Sequence, residues 1–555
     1  MKKLFALIVL LLAASACFAA SSRLYDSNSY EFQTVRRLCL LSGVLGPTNA
    51  SPMTESELYH AYLTIEPSKL NNRNYDEYIE IGKIFEDVEM DLDIVVNINP
   101  FIYKTGMQDE LDNEEFIMPY RNMPSFLNYG LTAAYSDYGY LEMYFEDCND
   151  EKVNFYNENG QFLKHDKTVY NSSFEYLLHF SDGKLQTSKN GNKPVDKYGY
   201  TPSIARGAIS GDYISLIMGR TKQSFGAGYT GNILISDNFR FQEMLQLAFY
   251  NSKFNYRLNI THFDAQNPDG SHVGGIFSGD QTNRIVHRLQ FEPFKNFRAA
   301  VNLAIVMTST SGFDIRFLTP MMFVHNWYNF NETIEINRND EANNGMVVEV
   351  ETMPLPGLRI NGQFMLDQIA QPGETTAVVP NAMGFLANIS YVDSYKNFDA
   401  EYFAEGFYST PSLYLNKKRN GSEVDWNRDW IVGYGRVMDE NHYSGHPYGP
   451  DTMMAAFGAI FDFTEINVKS KNIVEWKKSG EQTKVMNTEF INEGKTPTGV
   501  AETRISLRSY NEWQATDNLS VNLNLGISFY ENFGYEEGLE KTIPQLAFGL
   551  KWTIL

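Results

Sequence analysis

The sequence predicts an all-β transmembrane β-barrel of about 18 antiparallel strands, and three observations lead to this fold class. Residues 519–529 carry apolar side chains at every odd position and polar residues or glycine between them, the pattern of a strand with one apolar face. Residues 546–555 repeat the alternation up to the last residue. After the first 20 residues, no stretch of about 20 consecutive apolar residues offers a membrane-spanning helix. Strands that alternate lipid-facing and lumen-facing residues account for all three.

The first 20 residues are typical of a secretory signal peptide. Two lysines follow Met1, an apolar run covers residues 4–12, and small residues follow as far as Ala20. The stretch before Cys17 resembles a lipoprotein cleavage box without its usual leucine, so lipidation at this cysteine stays open. The predicted organisation is a signal peptide at 1–20, a periplasmic helical subdomain or plug at 21–90, and an outer-membrane barrel at 91–555.

The segment before the barrel has a helical pattern. Val35 and Leu38 recur at helical spacing, and Thr54 followed by Glu57 has the spacing of a capping box. These signals predict a small periplasmic helical subdomain that could plug the inner mouth of the barrel. A flexible leader is the alternative.

The strand number follows from the turns, because outer-membrane barrels have short periplasmic turns and long outer loops. Counting backwards from a periplasmic C-terminus gives about 18 strands, with 16 or 20 as the alternatives, and a first strand near 91–99. The expected periplasmic turns lie at 137–138, 211–212, 251–253, 293–296, 354–357, 393–397, 462–465 and 513–517.

Three excursions on the extracellular side are too long for simple hairpin loops: 147–202, 308–343 and 409–451. Within the second, residues 318–327 are too apolar for a solvated loop. We expect this stretch to fold into the barrel mouth as a helix or buried turn.

Composition and motifs exclude several classes of function. The net charge of −22 argues against nucleic acid as a partner. Cys39 and Cys148 lie in what we predict to be different compartments, so a disulfide between them is not expected, and no metal-ligand spacing is present. The nucleophile-elbow, zinc-protease and phosphate-loop motifs are also absent, so the sequence predicts no enzyme and no cofactor. A hydrolase site assembled from scattered loop residues stays an alternative.

A glycine-rich block at residues 224–238 is the first candidate binding site. Glycines at three positions allow tight turns, and the residues between them offer an aromatic ring with hydroxyl, amide and charged groups that suit sugar hydroxyls. The candidate polysaccharide-binding residues here are Tyr229, Asn232, Ser236, Asp237, Asn238 and Arg240. The alternative is that this block only seals the barrel mouth through its own hydrogen bonds.

A second candidate lies at residues 425–430, which read DWNRDW. An indole at Trp426 could stack on a pyranose face, and the guanidinium of Arg428 could bind its polar groups. The alternative is an aromatic girdle residue at the outer leaflet.

Five motifs occur in the order found in a known family. The glycine-rich block, MGR at 218–220, HRL at 287–289, the stretch 318–327 and GHPYGPD at 445–451 resemble the Wzi-like capsule-assembly outer-membrane proteins, over about half of the chain. Phe225 and Ala227 stand where that family has tryptophan and proline, so sugar specificity does not carry over. The resemblance implies an 18-stranded barrel with a helical periplasmic element that acts as a surface lectin for capsular polysaccharide.

The predicted function is therefore a non-enzymatic outer-membrane protein that binds or organises surface polysaccharide in capsule assembly. Its predicted partners are surface polysaccharide, outer-membrane lipids and the barrel-assembly machinery, which would bind the C-terminal strand. The expected orientation has a periplasmic N-terminus and extracellular long loops. One alternative is a channel for small solutes, suggested by polar lumen positions such as Arg504, Arg508, Asn522 and Asn524. The other is a surface adhesin.

Overall fold

Eighteen antiparallel strands close into a single barrel in which chain neighbours pair with each other. The computed structural model describes residues 22–85, 91–105, 115–119, 122, 127–135, 139–147, 149–156, 162–171, 178–181, 184–187, 202–239, 241–264, 281–309, 315–320, 341–369, 381–414, 416–420, 423–427, 431–434, 440–483 and 494–554. The barrel strands are β1 (Asp91–Ile98, resumed at Phe101–Thr105), β2 (Leu127–Tyr135), β3 (Gly139–Asp147), β4 (Ile204–Ser210), β5 (Ile214–Thr221), β6 (Gln242–Asn251), β7 (Phe254–Asp264), β8 (Gln281–Phe294), β9 (Phe297–Ser309), β10 (Glu341–Leu355), β11 (Leu358–Gln368), β12 (Ala382–Ser394), β13 (Asp399–Ser409), β14 (Thr452–Phe463), β15 (Val468–Ser479), β16 (Glu502–Thr516), β17 (Leu519–Glu531) and β18 (Lys541–Thr553).

The barrel closes between its first and last strands. β18 pairs with both parts of β1 in one continuous register, from Thr553 opposite Asn97 to Gln545 opposite Thr105. The break in β1 falls at Pro100, which has no N–H to give to the ladder, although its carbonyl still accepts from the Leu550 N–H at 2.9 Å. The prediction of an 18-stranded barrel is confirmed.

The turns at one end of the barrel are short and coincide with the predicted periplasmic turns. The described strands are joined there at 211–213, 252–253, 295–296, 356–357, 395–398, 464–467 and 517–518. The remaining predicted turn, 137–138, lies outside the described residues. In outer-membrane barrels this short-turn end faces the periplasm.

The two faces of the wall differ as the alternation predicts. On β17, Leu525 and Phe529 are exposed on the outside, whereas Asn524 and Ser528 are buried in the lumen. Exposed aromatic side chains gather on the outer surface near the short turns: Tyr213, Phe254, Phe294, Trp513 and Trp552. Such an apolar band with an aromatic girdle is the lipid-facing surface of an outer-membrane barrel. The protein is therefore placed in an outer membrane. The described residues include no helix long and apolar enough to span a membrane.

Residues 22–85 form three helices that cover the short-turn end: α1 (Tyr30–Ser42), α2 (Glu55–Tyr62) and α3 (Asn72–Gly82). Glu57 accepts a hydrogen bond from the Thr54 N–H at 3.2 Å, as the capping-box spacing predicts. The segment is tied to the turns by backbone bonds, including one from the Leu45 N–H to the Lys295 carbonyl at 2.9 Å. The proposed domain boundaries at residues 20 and 90 fall outside the described residues.

The excursion between β9 and β10 is described only in part. Its described part, 315–320, contains a 3-10 helix at Ile315–Leu318. Phe317 packs against Ile285 and Ile305, which are paired across β8 and β9. Both lie on the outward side of the wall, because the next residue of β8, Val286, faces the lumen core. Of the predicted stretch 318–327 only residues 318–320 are described, so its location in the barrel mouth stays a prediction.

Candidate functional site

The glycine-rich block folds into the lumen. We call residues 222–239, which connect β5 to β6, the glycine segment. Its apolar centre, 233–235, is fully buried against lumen-facing side chains of the wall, among them Val286, Met365, Leu386 and Met454. Burying three aliphatic side chains contributes roughly 1.5–3 kcal/mol for each of them. Hydrophobic burial therefore draws the segment inward.

At two positions of this segment glycine is required, because other side chains lie very close to its backbone. Gly226 has φ +128°, and a Cβ there would lie 2.3 Å from the side-chain oxygen of Asn232. Gly231 has φ +158°, and its Cβ would lie 2.3 Å from Pro447 Cδ. Both positions exclude larger residues for steric reasons.

Three of the predicted sugar-binding residues make hydrogen bonds inside the lumen. The Asn232 side-chain oxygen accepts from the Gly228 N–H at 2.9 Å and from Gln363 Nε2 at 2.8 Å. The Ser236 hydroxyl donates to the Asn232 carbonyl at 2.8 Å, and Asn238 Nδ2 donates to the Gly445 carbonyl at 2.6 Å. All three side chains are buried. These bonds join the segment to itself, to the wall and to residue 445, and sugar binding by the three side chains stays a prediction.

The other predicted residues are less confined or lie elsewhere. Asp237 is partly exposed and has Lys222 Nζ 3.9 Å away. Trp426 lies in a hairpin of Asn416–Asn420 with Glu423–Asn427, and nothing is described of its side chain. Arg240 and Arg428 lie outside the described residues. The structure thus brings five of the eight predicted residues together within one lumen segment.

Tyr229 occupies the tip of the glycine segment, where it contacts α1 and the wall. Its hydroxyl donates to the Glu401 carboxylate and accepts from Arg359 Nη2 at 2.8 Å and Arg36 Nη2 at 3.3 Å. Its ring stacks on Phe403 with 4.0 Å between centroids. Burial raises the pKa of Tyr229 to about 12, so its hydroxyl is a neutral donor at physiological pH.

A cluster of charged side chains fixes this tip. Arg36 of α1 binds Glu401 of β13 through two hydrogen bonds, at 2.6 and 3.0 Å. Glu405, four residues further along β13 and on the same face, accepts from the N–H groups of Tyr229 and Thr230 at 2.7 and 2.8 Å. Bonds to ionised groups are about twice as strong as neutral ones. These partners were missed by sequence reasoning, although the alternation of β13 places both glutamates in the lumen.

The glycine segment is also joined directly to the N-terminal segment. Ser224 pairs with Ser51 and Phe225 with Ala50 in a short antiparallel sheet. The Gly226 N–H also donates to the Asn49 carbonyl at 2.8 Å. The N-terminal segment enters the lumen from the short-turn end, and the glycine segment enters it from the opposite end. The two segments therefore contact each other inside the barrel.

The motif GHPYGPD at 445–451 packs on the opposite side of the glycine segment. The His446 ring stacks on Phe407 with 3.7 Å between centroids, and the Tyr414 hydroxyl donates to the Ile233 carbonyl at 2.6 Å. Tyr448 donates to Glu475 at 2.7 Å. The motif is a packing element within the lumen, as expected for a histidine with no spaced partner.

A polar cavity of about 510 Å³ remains between α1 and the glycine segment. Cations such as Arg37 and Lys471 line it together with carboxylates such as Asp399 and Glu401. Its volume lies within the usual range for small-molecule sites, about 300–1,000 Å³. Among the described residues, no group of three His, Cys, Asp or Glu side chains could hold a metal ion.

Comparison with solved structures establishes the fold. The chain is similar to Wzi of Escherichia coli, an outer-membrane protein involved in group 1 capsule assembly and described as a carbohydrate-binding β-barrel. The two share 12% identity over 95% of this chain and 98% of that one, with a TM-score of 0.54. This chain has that barrel fold.

Matches with lower TM-scores include one outer-membrane channel. OccK2 (OpdF) of Pseudomonas aeruginosa has 9% identity and a TM-score of 0.39 over 84% of this chain and 98% of that one. The channel DcaP of Acinetobacter baumannii has 7% identity and a TM-score of 0.34 over 84% and 97%. No protein-family model and no curated protein matches the chain.

Proposed function

We propose that this protein is an outer-membrane surface barrel that binds or organises surface polysaccharide during capsule assembly, and that it is not an enzyme. The observation that carries the proposal is that two chain segments fill the lumen and are joined to each other there. The glycine segment is paired with the N-terminal segment by a two-residue sheet and by the contact of Tyr229 with Arg36. A lumen that stays filled suits a protein that binds its ligand at the cell surface. The Wzi-type fold also supports such a role.

One of the two arginines that suggested a channel is also engaged. Arg504 is fully buried and binds Glu475 at 2.6 Å and Glu115 at 3.4 Å, the latter from a segment between β1 and β2 that also enters the lumen. A buried guanidinium with two carboxylates contributes to a packed interior rather than to an open, charged pore lining.

The proposed saccharide contacts are Asp237, Trp426 and Arg428, together with Arg240. The buried members of the predicted set, such as Asn232, keep the glycine segment in place. Binding of native surface polysaccharide to the refolded, full-length barrel tests this assignment. We expect saturable binding that weakens in Asp237→Ala and in Trp426→Ala while the barrel stays folded.

The channel alternative is favoured by one observation, the charged cavity beside α1. Its lining includes Lys469 near the short turns and Asn122 from a segment on the opposite side of the lumen. Planar-bilayer recordings separate the two functions, because a filled lectin barrel should show little steady conductance. Strong conductance with no polysaccharide binding would reject the proposed function and leave the channel.

A further inference from the structure

One lysine of the barrel wall faces the polar cavity without a direct acidic partner. Lys471, on β15, lines the cavity of about 510 Å³ between α1 and the glycine segment. Among the described residues, no carboxylate oxygen lies within 4 Å of its ammonium group. The ammonium donates to the Tyr229 carbonyl at 3.5 Å, which is long for a hydrogen bond. An ammonium has three N–H donors, so most of its capacity is unused by this part of the chain.

The other basic side chains of the cavity wall are paired. Each of the four that line the cavity among the described residues has a carboxylate oxygen within 4 Å. These pairs are Arg36–Glu401 at 2.6 Å, Arg37–Asp399 at 2.7 Å, Arg359–Glu351 at 3.6 Å and Lys469–Asp462 at 3.8 Å. Lys471 is therefore the exception within this wall.

The carboxylates whose charges act on Lys471 are two glutamates of β13, and both are engaged by other donors. Glu405 accepts from two N–H groups of the glycine segment at 2.7 and 2.8 Å. It also accepts from the Thr230 hydroxyl at 2.6 Å and from a side-chain amide of β12 at 3.1 Å. Glu401 accepts two hydrogen bonds from Arg36. Charges inside proteins are usually paired, so an anion is the partner that the position of Lys471 lacks.

The rest of the cavity wall is mainly polar and is open to water at the short-turn end. Amide and hydroxyl side chains line it, among them Asn28, Asn49 and Ser224. Such groups both donate to and accept from hydroxyl groups. Asn28 is exposed, and the Lys469 side chain beside the turn at 464–467 is 45% exposed. A small water-soluble molecule has access to the cavity from this end.

We propose that this cavity binds a small hydroxylated carboxylate. Its carboxylate accepts from the Lys471 ammonium, and its hydroxyl groups contact the amide and hydroxyl side chains of the wall. One negative charge matches the one basic side chain of the described wall that lacks a direct acidic partner. An apolar chain is unsuited to this cavity, because it would cover polar groups without replacing their hydrogen bonds to water. The ligand is a free small molecule, and its binding does not depend on the proposed binding of surface polysaccharide.

The test is isothermal titration calorimetry of the refolded, full-length barrel in a non-ionic detergent and a buffer without carboxylates. The probes are gluconate and sorbitol, two linear polyols of equal carbon number, of which only gluconate carries a carboxylate. We expect saturable binding of gluconate and at least about tenfold weaker binding of sorbitol, because hydrogen bonds to ionised groups are about twice as strong as neutral ones. No polysaccharide is present, so failure of this experiment is distinct from failure of the proposed function.

Variants of the wall locate the binding. Lys471→Gln should weaken gluconate binding at least about tenfold, whereas Lys471→Arg keeps the charge and should retain binding. The matched control is Lys551→Gln, which removes an exposed lysine of β18 that does not line the cavity and should leave gluconate binding unchanged.

A second position keeps the test independent of the folding of Lys471→Gln. Asn28→Trp places a bulky ring at the open end of the cavity, keeps Lys471 and should also weaken gluconate binding. The absence of gluconate binding to the wild-type barrel overturns the proposal. So does equal affinity for sorbitol, or gluconate binding that Lys471→Gln and Asn28→Trp both leave unchanged.

Discussion

Replacing Arg36 by methionine should separate the helical segment from the lumen cluster that holds it. Arg36 makes two hydrogen bonds to Glu401, at 2.6 and 3.0 Å, and one to the Tyr229 hydroxyl at 3.3 Å. Burial opposes its charge, but Glu401 and Tyr229 raise the pKa of Arg36 above its ordinary value, so the guanidinium is charged at any working pH. Methionine keeps much of the side-chain volume and removes the charge.

The expected cost follows from the carboxylate that is left behind. Removing one partner of a buried ion pair costs about 3–5 kcal/mol, because the other charge is left uncompensated. Glu401 keeps the Tyr229 hydroxyl, so we expect the lower end, about 3 kcal/mol of the free energy of unfolding. In Arg36→Met combined with Glu401→Gln no charge is stranded, and the cost should fall to about 1 kcal/mol, about 2 kcal/mol less than for Arg36→Met alone.

Urea unfolding of the barrel in lipid vesicles, followed by tryptophan fluorescence, measures these differences. The control is Arg23→Met, which removes the ion pair with Asp91. The side chains of Arg23 and Asp91 are 32% and 29% exposed. A surface pair of this kind contributes about 0–1 kcal/mol. If Arg36→Met costs no more than Arg23→Met, or if the double variant is as unstable as the single one, the ion cluster does not hold the segment in place.

Three further outcomes are expected. Burial raises the pKa of the Cys39 thiol to about 12, so in a Cys148→Ser barrel maleimide at pH 8 should label it at least about a hundredfold more slowly than in urea, and comparable rates would contradict its burial. Gly226→Ala, at φ +128°, should cost about 1–3 kcal/mol, whereas Gly362→Ala, whose Cβ meets nothing within 4 Å, should stay within about 0.5 kcal/mol in the same urea assay. Tyr229→Phe should cost about 1–3 kcal/mol at pH 8. Because the pKa of Tyr229 is raised to about 12, the stabilisation is complete below about pH 10 and is lost as pH rises towards 12, so the difference between the two proteins should narrow over that range.

The barrel fold could be predicted from the sequence because the two faces of a membrane strand lie in different surroundings. On β17 the outward side chains are apolar and face lipid, whereas the inward ones are polar or glycine, so the alternation in 519–529 predicted both faces of this strand. The turns were predictable for the same reason, since parity fixes which strand ends must be short. The helix at residues 55–62 carried its own local signal in the spacing of Thr54 and Glu57.

The interior of the barrel could not be read in this way. Asn232 and Ser236 have the side chains that bind sugar hydroxyls, but the same groups bind backbone N–H and carbonyl groups equally well. Only the fold decides between these uses. One signal was available: three consecutive aliphatic residues at 233–235 are unfavourable in a solvated loop and favour burial. The partners of the segment, such as Arg36, are separated from it by nearly 200 residues, and no local pattern connects them.

This arrangement determines which variants can test polysaccharide binding. Tyr229 holds the glycine segment to Arg36, Arg359 and Glu401, so Tyr229→Ala could abolish binding by releasing the segment, whether or not the tyrosine contacts sugar. Asp237 is partly exposed and lies 3.9 Å from Lys222 Nζ, away from the hydrogen bonds of Tyr229. Loss of binding in Asp237→Ala with an unchanged urea midpoint would indicate a saccharide contact. Loss of binding only in Tyr229→Ala, together with a lowered midpoint, would indicate that the glycine segment supports the binding surface without being part of it.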